Sequence, residues 1–95
     1  MYAVLIEVNA DDSHLDHARK MLPEKAVPMA RQAGGKSGYW LAPNDNRGVS
    51  VVVFDAEDEA RKAASMFQIG QPPMPEAPPG VTVRNVQVCE VLASF

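Results

Sequence analysis

The stretch that most constrains this chain is Gly48 to Phe67, GVSVVVFDAEDEARKAASMF. Its first half alternates as a strand: Val49, Val51 and Val53 fall on one side, Val52 and Phe54 on the other, and only Ser50 interrupts the apolar run. Asp55 follows where a helix N-cap belongs. Its carboxylate is suited to accept a bond from the free N–H groups of the first turn, with Asp58 as an acidic capping-box partner. Glu57 and Glu59 add negative charge at the positive end of the helix dipole. The helix that follows carries Ala56, Ala60, Ala63, Ala64 and Phe67 on one stripe, and small residues there allow close approach to a sheet. A strand that is apolar on both faces and leads straight into such a helix needs cover on two sides.

The rest of the chain supplies matching parts. Tyr2 to Val8 (YAVLIEV) reads as a strand with Tyr2, Val4, Ile6 and Val8 on one face and Ala3, Leu5 and Glu7 on the other, again mostly apolar. Asn9 to Ser13 is a turn, with Ser13 or Asp12 expected to cap a first helix from His14 to the pair Gly34-Gly35, and Asp16 expected to close the box from Ser13. Leu15, Ala18, Met21 and Leu22 form its apolar stripe, and Pro23 and Pro28 predict a kink or two shorter pieces. Lys36 to Ala42 (KSGYWLA) reads as a second strand, joined through the turn formers Pro43 to Gly48 to the third as an antiparallel hairpin. Gly70 to Gly80 holds five of the eight prolines and predicts a stiff loop. Val81 to Leu92 is a fourth strand whose alternation shifts phase across Arg84-Asn85, as a β-bulge would cause.

The order is therefore βαββαβ: an α+β, ferredoxin-like fold with a four-stranded antiparallel sheet and two helices on one face, in a single domain over 1–95. At 95 residues the chain holds one core. Because strands one and three are apolar on both faces, the sheet surface away from the helices is expected to be covered by a second copy, giving a homodimer through its sheet faces.

Composition narrows the function. A net charge of -3 gives no basic footprint, so nucleic acid is not expected as a partner. No apolar run approaches a membrane span, and no leader-like segment opens the chain, so the expected compartment is the cytoplasm. The single cysteine, Cys89, has no partner for an internal disulfide and reads as a small buried hydrophobe. His14 and His17 lie three apart on one helix face, a spacing a divalent metal can use, but an exposed first turn whose carboxylates serve capping explains them better; no metal is expected.

The run from Pro28 to Leu41 has the pattern PxxRxxGGxxGYWL. With the VVVFDAEDEARKAA run at Val51 to Ala64, it resembles the dimeric α/β-barrel superfamily, in particular its antibiotic-biosynthesis-monooxygenase-like branch. The resemblance implies a homodimeric barrel with a pocket between sheet and helices in each subunit, no cofactor, and an apolar or aromatic small molecule as ligand. It also implies either cofactor-independent oxygenation or proton transfer, or, as a second class, a non-catalytic ligand-binding or assembly module. Members of the branch use an Asn on the first strand, which Asn9 would supply here, and a Trp on the second helix, where this chain has Phe67. No His follows that helix, so haem degradation is not expected.

The residues themselves yield one candidate set. Glu7 and Asn9, if both face the pocket among apolar neighbours, are placed for acid–base work. In the catalytic reading Asn9 polarises the ligand, Tyr39 or Glu7 transfers protons, and Trp40 or Phe67 stacks. Arg84 at the bulge is a further ligand-binding candidate. The plainer alternatives are an ion pair for Glu7 and interface packing for Trp40. Met21, Met29, Met66 and Met74 are candidates for an adaptable apolar lining, and the proline loop for a flap at the pocket mouth.

Overall fold

The computed structural model describes all 95 residues. Strands β1 (Tyr2–Asn9), β2 (Ser37–Leu41), β3 (Arg47–Phe54) and β4 (Thr82–Glu90) form one antiparallel sheet in the order β2-β3-β1-β4. A helical arm joins β1 to β2, and helix α3 (Glu57–Ala64) followed by the proline loop joins β3 to β4. This is the ferredoxin-like βαββαβ arrangement that the order of elements predicts. No helix is long and apolar enough to cross a membrane.

The register fixes which residues share a face. Toward the helices point Tyr2, Val4, Ile6 and Val8 of β1, Val52 and Phe54 of β3, and Val83, Val86 and Val88 of β4. Phe54, 2% exposed, and Val83, 1% exposed, are the largest fully buried side chains. They meet Ala60 and Ala63 on the inner side of α3, where methyl groups let the helix lie close to the sheet. The opposite face carries Ala3 and Leu5 of β1, Val49, Val51 and Val53 of β3, and Tyr39 and Leu41 of β2. Across it run the rows Ser37–Val53–Ala3–Cys89 and Tyr39–Val51–Leu5–Gln87. The middle of both rows is apolar, with Ser37 and Gln87 at their polar ends and Tyr39 69% exposed and Leu41 52% exposed at the β2 edge.

The bulge expected on β4 is present. Glu7 pairs with Asn85 and Val8 with Val83, which leaves Arg84 as the extra residue. The turn after the arm closes as a Schellman motif: Gly34 has φ +102°, its N–H reaches the Arg31 carbonyl at 3.0 Å, and the Gly35 N–H reaches the Ala30 carbonyl at 2.9 Å.

Several local expectations are corrected. Asp55 does not cap α3; the residue before the helix is Ala56 in extended geometry, with no side-chain cap bond, and the Asp55 carboxylate turns to Lys36 at 3.5 Å. Asp58 accepts from the neighbouring Glu59 N–H instead of closing a box. At the start of the arm the cap is Asp11, which accepts from the Ser13 N–H at 2.8 Å, while Asp16 pairs with Arg19 at 2.7 Å. Asp12 has a different role: it and Asn46 exchange two bonds, Asp12 N–H to the Asn46 side chain at 3.0 Å and Asn46 N–H to the Asp12 carboxylate at 3.2 Å, fastening the arm to the β2–β3 hairpin.

The arm is broken more finely than a single kink. A 3₁₀ turn (Asp12–His14) leads into α1 (Leu15–Met21), a π turn spans Leu22–Ala26, and α2 (Val27–Gln32) completes it. Pro28 has no N–H for the carbonyl four residues back, and its ring would strike that carbonyl in a regular helix. The chain widens instead, and the Val27 N–H bonds the Leu22 carbonyl five residues earlier. Ala26 is the only arm residue that is fully buried. The arm is thus fixed at its two ends and held off the sheet between them.

Candidate functional site

The gap beneath the arm is the site. A cavity of about 570 Å³ lies between the helix-side face of the sheet, the arm and the proline loop. Val4, Ile6, Val8, Val52 and Phe54 line its floor, and Leu15, Leu22 and Val27 line the arm side. The four methionines expected as an adaptable lining, Met21, Met29, Met66 and Met74, all border it. So do Pro73, Met74, Ala77 and Pro78 of the proline loop, placing that loop at the cavity wall. The loop is held there by β4: the Gly70 N–H bonds the Val83 carbonyl and the Val83 N–H bonds the Gln71 carbonyl, each at 2.8 Å. The volume falls within the range of small-molecule sites, and the lining has their usual apolar character.

The structure divides the candidate residues between two faces. Trp40 and Phe67 border the cavity. Glu7 and Asn9 occupy the alternate positions of β1 and point to the open face of the sheet. There Glu7 accepts from Arg47 Nη1 at 2.8 Å, the ion pair that was the plainer reading of this residue, and Asn9 donates to the Thr82 hydroxyl at 3.4 Å. Tyr39 also has its register position on the open face and reaches the cavity only where the β2 edge forms its rim. Arg84 is exposed at the bulge and does not border the cavity. Glu7, Asn9 and Tyr39 are therefore not gathered around the cavity with Trp40 and Phe67.

The charged groups near the cavity are engaged or peripheral. Arg47 is clamped by Asp45, whose carboxylate accepts from its Nε at 3.1 Å, and by Glu7; Asp45 first and then Glu7 raise its already high pKa further. Asp11, His14 and His17 border the end where the arm begins. The Asp11 carboxyl is held below its ordinary value chiefly by the Ser13 N–H that it accepts. No three His, Cys, Asp or Glu side chains gather into a group that could hold a metal ion.

One cavity residue was not singled out as functional from the sequence: Ser50. On β3 it takes the helix-side position between Gly48 and Val52, and in the register it stands directly opposite Trp40 of β2 and beside Ile6 of β1. The signal was present as the single polar interruption of the valine run.

No protein-family model matches this chain, and neither does any curated protein or solved structure.

Proposed function

We propose that this protein binds an apolar small molecule in the cavity beneath the arm, without catalysis, and does so as a homodimer whose open sheet faces meet. The observation that carries the reading is the apolar cavity of about 570 Å³, floored by β1 and β3 and walled by four methionines. Oxygenation or proton transfer of the kind the resemblance implies needs polar groups converging on the ligand. Glu7 and Asn9 lie on the other side of the sheet, so binding is favoured over chemistry. The dimer is supported by the apolar centre of the open face, Val51 and Val53 of β3 beside Ala3 and Leu5 of β1, with Tyr39 and Leu41 at the β2 edge. The single free Cys89 suits a reducing compartment, and the cytoplasm is the simplest such location.

The test is titration with Nile red, a neutral dye whose emission rises and shifts to the blue in apolar surroundings. Saturable binding at one dye per chain is expected, and Ala18→Phe, which projects a ring into the space from α1, should abolish it while the fold is kept. Unsaturable dye uptake, or uptake indifferent to Ala18→Phe, would refute the site.

A further inference from the structure

The cavity floor is apolar except at one place. On the helix-side face of the sheet the register sets out rows of Gly38–Val52–Val4–Val88 and Trp40–Ser50–Ile6–Val86, with Gly48–Val8–Val83 below them. Trp40 and Ser50 are the polar pair in this grid, side by side on neighbouring strands. Neither the Ser50 hydroxyl nor the Trp40 indole N–H makes a hydrogen bond within the chain. Both residues are partly buried and both border the cavity.

A serine at this point offers a hydroxyl where its neighbours at positions 49, 51 and 52 offer only valine methyls. No side-chain nitrogen or oxygen of the chain is both sealed from water and without a partner, so the Ser50 hydroxyl and the Trp40 indole N–H stay open to whatever enters the cavity. A ligand that displaces water from them is favoured where it bonds them, because a donor left unpaired on burial is penalised. The two glycines bordering the pair let neighbouring side chains close against the sheet beside it. A Cβ at Gly38 would come within 3.2 Å of Val52 Cγ2 and 3.5 Å of the Trp40 ring, and one at Gly48 within 2.9 Å of Val8 Cγ2. The cavity border, an apolar bed and two unengaged polar groups coincide at this spot.

We infer that Ser50 and Trp40 are the specificity-determining pair of the cavity, and that the ligand is an uncharged apolar molecule bearing a hydrogen-bond acceptor, of the ketone, ester or ether type, seated on them. This rests on the binding function proposed above. The chemistry of the pair selects the class. An indole N–H only donates and a serine hydroxyl donates or accepts, so together they can supply two donors to one carbonyl-type oxygen. An anionic head is disfavoured because neither group carries charge. Arg47, a nearby permanent cation, is already held by Glu7 and Asp45.

The experiment is displacement of bound Nile red by two competitors of matched size, acetylnaphthalene, which carries a ketone oxygen, and ethylnaphthalene, which does not. The ketone should displace the dye at roughly three- to tenfold lower concentration, the range that one or two net hydrogen bonds supply. In Ser50→Ala that preference should fall toward unity while ethylnaphthalene binds at least as well as before. Trp40→Phe, which keeps the ring and removes the N–H, should also lower the preference, and it serves if Ser50→Ala fails to fold. Equal displacement by the two competitors in the natural protein, or a preference that survives in both variants, would overturn the inference while leaving the cavity reading intact. Failure of Nile red to bind at all would overturn both.

Discussion

Leu5→Asp tests whether the open sheet face is covered by a second copy. Leu5 lies in the middle of that face, between Val51 and Gln87 across the strands and between Ala3 and Glu7 along its own. In a dimer built on this face the substitution removes the transfer free energy of a leucine side chain already partly shielded by its sheet neighbours, about 1 kcal/mol. It also buries a carboxylate, whose effective desolvation costs several kcal/mol. Little offsets this locally. The nearest charge along the same face is Glu7, of like sign, and the cation beyond it, Arg47, is engaged by Glu7 and Asp45. Taking about 3 kcal/mol per chain as a low figure, a two-fold interface loses about twice that, a ten-thousandfold or larger rise in the dimer dissociation constant. Sedimentation velocity across micromolar concentrations should show the natural protein at twice the chain mass and Leu5→Asp at the chain mass. Circular dichroism should show that the variant remains folded, and Gln68→Asp, an exposed change elsewhere, should leave the dimer unchanged. A natural protein that sediments as a monomer, or a Leu5→Asp variant that still dimerises, would refute the argument from two-faced strands.

Other perturbations read other parts of the structure. Phe54→Ala empties the centre of the core under α3 and should cost about 3–5 kcal/mol, lowering the thermal midpoint by more than about 12 °C or unfolding the chain outright. Gly34→Ala forces a Cβ onto a residue at φ +102°, 2.9 Å from Glu59 Oε2, and should destabilise by about 1 kcal/mol or more in urea denaturation. Asn46→Ala removes the side-chain acceptor of the Asp12 N–H, leaves the bond from the Asn46 backbone N–H to the Asp12 carboxylate, and should raise amide hydrogen exchange at the start of the arm with little change in β1 and β4. For Asp11 the folded carboxyl titrates below its ordinary value of 3.8, so its contribution to the arm is complete above that pH and is lost as the pH falls through the lower folded value. Exchange of the Ser13 amide should accelerate on acidification relative to its neighbours, and Asp11→Asn, which keeps an acceptor but does not titrate, should remove that dependence.

What the sequence discloses and what it withholds divide by range. The bulge at Arg84 and the Schellman turn at Gly34-Gly35 were legible because each is a local rule: a slip in a period of two, and a residue free to take positive φ before the next strand. The sheet order followed from the order of elements. Asp55 misled because a cap is decided by where the chain turns. Ala56 stays extended, and Lys36, distant in sequence, draws the carboxylate away. The orientation of Glu7 and Asn9 was hidden for a different reason. Alternation tells which residues share a face of β1 but not which face meets the helices, and with Leu5 and Ile6 equally apolar the strand gives no label. The cavity depends on the arm standing off the sheet between its two fastened ends, a tertiary property to which Pro23 and Pro28 contribute only the break. Ser50 was visible as an exception in the valine run, and it gained meaning once the register set it against Trp40.

The place of β1 in the sheet bears on how the protein is made. β1 has a neighbour on each side, Phe54 to Arg47 on one and Glu90 to Thr82 on the other, and it precedes both of them in the chain. Neither partner exists until much later in synthesis, so the nascent chain carries a strand apolar on both faces with nothing to pair it. Only the arm can form early, because its bonds join close neighbours in sequence. Folding must then wait for contacts of long sequence separation, which are slow to form. Throughout that interval β1 is open to the wrong partner, another unfinished copy or a chaperone. Of the two central strands of the finished sheet, β1 is thus the one most exposed during its assembly.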